Sequence, residues 1–186
     1  MSFVYVIVMA LPLLVGQPQL PPHVEACSDR VNAQIALAAQ AAAEHTPSWE
    51  QDARRVLAEE PDYAERLVGA IRSAACASGV AAETLWGVAY TESRGRHRDP
   101  LGRIKHGGSG EIGLMQVLPF WQKALRRVAG LEVDLNHLED NVLAGAFILQ
   151  RGGDETAVML SYYNTGQRVR STRYQRRVMN YIASFQ

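Results

Sequence analysis

The sequence predicts an all-α dominated α+β fold, helical nearly throughout, with at most a small hairpin after Glu92. Three observations predict it. Apolar residues recur at helical spacing in one segment after another. The first half holds no run that alternates apolar and polar with a period of two. A Gly-rich stretch of roughly eighteen residues, Ser93 to Gly110, then interrupts the helices, longer than connections inside compact domains usually are.

The chain has 186 residues, room for one domain with a real core and a small helical annex. Its 47% hydrophobic and 20% charged residues place it among folded globular chains. Lys+Arg and Asp+Glu both number 19, and this balance argues against a dedicated nucleic-acid binder. One local exception is the crowd of Arg168, Arg170, Arg173, Arg176 and Arg177. It reads as a solvated basic face near a helix end, with anionic-polymer binding as the alternative.

Residues 1–26 are expected to be an export signal followed by a Pro-rich segment. Phe3 to Val15 is apolar, too short to span a bilayer comfortably and suited to a signal peptide. No Lys or Arg precedes it, and cleavage after Gly16 or after Ala26 would both fit. The second site would expose Cys27, but Glu25 and the proline-rich gap speak against a lipoprotein. No stable membrane span is expected. Cys27 and Cys76 are the only cysteines, and they read either as a pair or as two unrelated thiols. Neither they nor the five histidines show metal-ligand spacing, so no structural metal is expected.

Residues 27–65 read as a helical extension and residues 66–186 as the main domain. Ser28 to Glu44 is Ala-rich and helical by propensity until Thr46-Pro47. Ser48 reads as the N-cap of a helix to about Glu59, with Glu50 and Asp52 early in it, as the helix dipole favours. Pro61 opens a helix that Ser78-Gly79 stops. In the next helix Leu85, Val88, Ala89 and Glu92 share one face. A carboxylate at the end of an apolar face is pressed against a dry wall, which raises its pKa. A raised carboxyl is what acid catalysis of glycoside cleavage needs. A Glu that merely frays out at a helix end is the plainer alternative.

After the loop come Gly113-Leu114-Met115-Gln116, where Gln116 is an amide in an apolar stretch that needs partners if buried. Further helices are predicted from Trp121 to Val128, from Val142 to Gln150, from Thr156 to Tyr163 behind an Asp154 cap, and from Ser171 to Ser184. Tyr163-Asn164 before Gly166 put a phenol and an amide at a helix end.

Glu92-Ser93, Gly113-Leu114-Met115-Gln116 and Tyr163-Asn164 with Gly166, in that order, resemble the soluble lytic transglycosylase (SLT) domain of the lysozyme-like superfamily. Asn141-Val142-Leu143-Ala144-Gly145 resembles the helix between that family's second and third motifs. The resemblance covers roughly residues 70 to 184 and leaves 27 to 65 uncovered. It implies a lysozyme-like, goose-type-like domain that cuts peptidoglycan between N-acetylmuramic acid and N-acetylglucosamine. It implies that Glu92 is the catalytic acid and then base, and that Ser93, Met115, Gln116, Tyr163 and Asn164 bind substrate or shape the pocket; Ser109 and Glu111, beside the second motif, are added as substrate-binding candidates from their place in the sequence. No metal or cofactor is needed, and the enzyme would work as an exported, periplasmic or wall-associated monomer.

Three departures from the family's pattern matter. The connection from Glu92 to the second motif is long. Gly107 stands where a substrate-contacting Ser is common, with Ser109 nearby as a substitute. Glu111 stands where a small residue is usual. It reads as a second acid, as a pKa-raising neighbour of Glu92, or as a surface residue. A hydrolytic lysozyme or chitinase on the same fold, and a non-catalytic wall-binding protein, are the competing functions. Whether the chain remodels its own cell's wall, serves a cell-envelope secretion or conjugation complex, or belongs to a phage is left open.

Overall fold

A computed structural model of the chain describes residues 46–169 and 172–185. The export signal, the Ala-rich helix and Cys27 lie outside the described residues. Seven helices follow among those described: α1 (Ser48–Val56), α2 (Pro61–Ser78), α3 (Ala82–Ser93), α4 (Phe120–Ala129), α5 (Leu138–Gln150), α6 (Thr156–Thr165) and α7 (Arg173–Ala183). No strand forms among these residues. The expected hairpin is reduced to isolated antiparallel bridges, Arg98 with Ile104, His106 with Ile112 and Ile112 with Val117.

The helix boundaries follow local chemistry. Pro61 occupies the first turn of α2, and Gly79 closes it at φ 75°, a left-handed cap that only glycine adopts without strain. Ser48 does not cap α1; it is the first helical residue, after Pro47. Asp154 does not cap α6; Glu155 holds that position without a side-chain bond. Helix α5 begins four residues before the expected Val142, at Leu138. A capping box starts α7: the Thr172 hydroxyl accepts the Gln175 N–H at 3.0 Å, and the Gln175 side chain accepts the Thr172 N–H.

One apolar core joins the helices. Leu67 and Ile71 of α2, Leu85 and Val88 of α3, Val142 and Leu149 of α5 and Val178 of α7 are fully buried in it, and so are Ala53 and Leu57 from α1 and its cap. Helix α2 packs most extensively on α5, and α3 on α7. The second pair approaches closely because of Gly87: a Cβ there would stand 2.7 Å from Ile182 Cγ1.

The acids of α1 are not dipole decoration. Glu50 is 1% exposed and accepts Arg72 Nε at 2.7 Å and Arg54 at 3.1 Å. Asp52, 4% exposed, accepts the Trp86 indole N–H at 2.9 Å, the Tyr181 hydroxyl and Arg55. These bonds brace α1 against α3 and α7. Cys76 of α2 is disulfide-bonded, while the expected alternatives for Cys27 lie outside the described residues.

Candidate active site

Glu92 lies in the last turn of α3, whose apolar face of Leu85, Val88 and Ala89 is fully buried. Arg94 ends the helix at φ 61°. The Lys105 ammonium then donates to the Ser93 carbonyl at 2.8 Å, a cation at the negative end of the helix dipole. The backbone of Lys105 also donates to His97 O at 3.0 Å and accepts from Gly113 at 2.8 Å. The long loop is therefore folded against the helix end.

Two buried polar side chains shape the Gly113-Leu114-Met115-Gln116 segment. His97, 3% exposed, accepts the Leu114 N–H on Nδ1 at 3.0 Å. That bond places its proton on Nε2, which faces Asn136 O at 2.8 Å. Burial pushes the His97 pKa down and keeps the ring neutral. Asn141 is fully buried and satisfied: Oδ1 accepts Met115 N–H at 2.8 Å, and Nδ2 donates to Ile112 O at 2.9 Å and Leu135 O at 3.0 Å. Both rings of contact converge on Gly113, at φ 76°, where a Cβ would lie 2.4 Å from His97. The turn leaves Gln116 at φ 49°, a strained conformation for a side-chain-bearing residue.

The result is a cleft of about 280 Å³ lined by Glu92, Gly107, Gly108, Glu111, Gln116, Val117, Leu118, Trp121, Ile148, Tyr163 and Asn164. Glu92, Glu111, Gln116, Tyr163 and Asn164 thus line one cleft. Three other residues are placed differently. Ser93 is 1% exposed, and its hydroxyl donates back to Ala89 O at 3.0 Å, inside its own helix. Met115 is fully buried against α5, where a Cβ on Gly145 would meet its Cε at 2.6 Å; it forms core, not cleft wall. Ser109 is exposed and contributes its backbone N–H, 2.9 Å from Glu111 Oε2.

The charges of the cleft are uneven. Burial pushes the Glu92 pKa above the ordinary carboxyl range, and the charge of Glu111 adds to the shift. The Tyr174 hydroxyl and the Arg177 guanidinium, both from α7, act against it without cancelling it. Tyr174 is 7% exposed, and its hydroxyl faces Glu92 without a well-formed hydrogen bond to any group. Arg177 lies over the Tyr174 ring, 5.6 Å from its centroid. Glu111 is held below the ordinary range by its own backbone N–H and by that of Ser109. The cleft therefore pairs a carboxyl inclined to hold its proton with one inclined to lose it. Tyr163 donates its hydroxyl proton to Met115 O at 2.6 Å, so what it offers the cleft is its oxygen lone pairs.

Tyr174, Arg177, His97 and Asn141 carry much of this arrangement and were not singled out from sequence as site residues. The Thr172-x-x-Gln175 capping box fixes where α7 begins, and so sets Tyr174 and Arg177 three apart on one face; it was the available signal.

A larger cavity of about 790 Å³ lies on another face and shares no residue with the cleft. Several of its charged groups are already paired: Arg96 with Glu60, Arg66 with Glu139 and Asp99 with Arg103. Size does not make it the site, because no buried group there lacks a partner. Among the described residues no three His, Cys, Asp or Glu side chains gather to hold a metal ion.

Helices without a sheet among the described residues, around a cleft with one half-buried carboxyl of raised pKa, are those of a lysozyme-like helical domain. The Transglycosylase SLT domain family matches residues 69–182, and the chain belongs to that family. Membership implies activity of the lytic transglycosylase kind on peptidoglycan. No curated protein and no solved structure matches the chain. No described helix is long and apolar enough to cross a membrane.

Proposed function

We propose that this protein is a peptidoglycan lytic transglycosylase that cleaves the β-1,4 bond between N-acetylmuramic acid and N-acetylglucosamine without water. The observation that carries the proposal is Glu92: a carboxyl with a raised pKa, at a helix end, in a cleft with Gln116, Tyr163 and Asn164. Protonated Glu92 donates to the bridging oxygen as the bond to C1 breaks. The oxocarbenium-like charge is met by the substrate's own acetamido group and by the Tyr163 oxygen. Glu92, now a carboxylate, takes the proton of the muramic acid 6-hydroxyl, whose oxygen bonds to C1. The product is a 1,6-anhydro end. One group performs both proton transfers, and its raised pKa suits the first of them. Gln116 and Asn164 position the sugars.

Mass spectrometry of wall fragments released by the wild type and by Glu92→Gln tests this. Anhydro ends from the wild type and none from the variant are expected. Unimpaired cleavage by Glu92→Gln overturns the assignment.

One observation favours a second reading, hydrolysis: Glu111 lies in the same cleft as Glu92. An ionised second carboxylate is what a water-using glycosidase employs. Its lowered pKa makes it a weak base, which supports the anhydro route instead. Reducing ends in place of anhydro ends would establish hydrolysis.

We further propose that the protein is exported and acts at the cell wall. The apolar run Phe3 to Val15 and the disulfide at Cys76 support this, since disulfides persist in oxidising compartments. N-terminal sequencing of the mature protein, with signal removal expected, tests it.

A further inference from the structure

Gly107 is glycine for the sake of its neighbours, not of its backbone. Its φ lies outside the left-handed region, so an L side chain would cause no strain there. Space forbids one. A Cβ on residue 107 would stand 2.3 Å from Glu111 Oε2 and 2.6 Å from Gln116 Oε1. Two side-chain oxygens, from either side of the second motif's turn, thus converge over one bare Cα at the wall of the cleft.

Both oxygens are acceptors. The orientation of the Gln116 amide is fixed by its other end, because Nε2 donates to Gly113 O at 2.7 Å. Turned over, the amide would set its oxygen against that carbonyl. Glu111 Oε2 accepts the Ser109 N–H at 2.9 Å and keeps lone-pair capacity. Among the described residues, no hydrogen bond bridges Glu111 Oε2 and Gln116 Oε1. Two acceptors left facing each other repel; a single O–H or N–H shared between them turns that repulsion into one bifurcated, charge-assisted hydrogen bond.

We infer that Glu111 and Gln116, converging over Gly107, form an acceptor pair that takes a neutral donor of the glycan, a sugar hydroxyl or an acetamido N–H, and that Glu111 is a substrate-positioning residue. The inference rests on the glycan-cleaving reading above. It also accounts for two departures from the family's pattern together. The missing serine side chain at 107 and the added carboxylate at 111 are one exchange, in which the carboxylate fills the space the side chain would have used. The charge of Glu111 has a second effect, since it helps hold the Glu92 proton in place.

The test is calorimetric titration of an N-acetylglucosamine hexasaccharide onto the full chain silenced by Glu92→Gln. Adding Glu111→Ala, or Gly107→Ala, is expected to weaken binding about tenfold. The two together should weaken it no further than Glu111→Ala alone, because both act on one pair. Should Gly107→Ala fail to fold, Glu111→Gln keeps the test open, with a similar loss expected. In the active chain, Glu111→Ala should raise KM. It should also move the basic limb of the pH–activity profile to lower pH, because Glu92 then ionises sooner; a merely structural role would not move it. Unchanged hexasaccharide affinity in the Glu111 variants overturns the inference while the glycan reading stands. A Glu92→Gln chain that binds no hexasaccharide, beside a wild type that releases no wall fragments, overturns both.

Discussion

Helices α3 and α7 pack together and enclose two acids in opposite conditions. Near the start of α3, Asp52 reaches in from α1 and meets Trp86 of α3 and Tyr181 of α7. At the end of α3, Glu92 meets Tyr174 of α7. Burial opposes ionisation in both. At Asp52 the hydrogen bonds from Tyr181, Trp86 and Arg55 outweigh it, and the pKa falls below the ordinary value of 3.8. At Glu92 the tyrosine is not in bonding geometry, the arginine acts from behind an aromatic ring, and the pKa stays above the ordinary value of 4.5. The same helix pair thus holds a carboxylate that is fully hydrogen-bonded and a carboxyl, proposed above as the catalytic acid, that is not. Partnering, not burial, separates the two roles.

The strongest way to sharpen this contrast is to neutralise each acid. Glu92→Gln is expected to lower wall-cleaving activity by about a thousandfold or more, read as released muropeptides, because both proton transfers are lost. Asp52→Ala should leave the residual chemistry intact and unfold the protein more easily, by about 3 kcal/mol in denaturant titration. It leaves the Trp86 N–H and the Tyr181 hydroxyl buried without an acceptor.

The tyrosines give a finer test. Tyr181→Phe removes a bond to a charged acceptor and should cost about 2 kcal/mol. Tyr174→Phe removes a hydroxyl that has no well-formed bond, so in the same titration at acid pH, where Glu92 holds its proton, stability should be unchanged or slightly higher. It should also shift the basic limb of the activity profile upward, since a group that pulls the Glu92 pKa down is gone. Equal losses of stability from the two changes would break the comparison.

The smallest effect is on stability against pH. A carboxyl whose folded pKa is raised stabilises the fold while protonated, and this contribution is lost as pH rises through the folded pKa. At neutral pH Glu92→Gln should therefore be more stable than wild type, by about 1 kcal/mol. The advantage should vanish below pH 4.5, where Glu92 is protonated in both states. Asp52 has the opposite sign: its contribution is present above 3.8 and lost as pH falls through its lowered folded value. Thermal melts of wild type, Glu92→Gln and Asp52→Ala across this range check both.

Much of the fold was legible because its signals are local. Pro61 and Gly79 mark α2, and apolar spacing marks the buried face of α3. Errors fell at caps, where Pro47 and Glu155 took positions that Ser48 and Asp154 suit by side chain. A cap side chain contributes only about 1 kcal/mol, which packing readily overrides. Among site residues, Glu92, Glu111, Gln116, Tyr163 and Asn164 meet in the cleft, while Ser93 and Met115 turn into the interior. A motif records which residues occur together, not which way each side chain points. Position on the helix turned Ser93 inward, and the gap at Gly145 drew Met115 toward α5.

The sequence by itself determined the helices, the order of the motifs and the family, because periodicity, turn residues and short strings are properties of neighbours along the chain. Only the tertiary structure decided that Asp52 is braced and Glu92 is not, that Tyr174 and Arg177 of α7 act on Glu92, and that Glu111 lines the same cleft. The physical reason is the same in each case. A carboxyl's proton affinity depends on burial and on donors within a few ångströms, and here those donors come from helices distant in sequence.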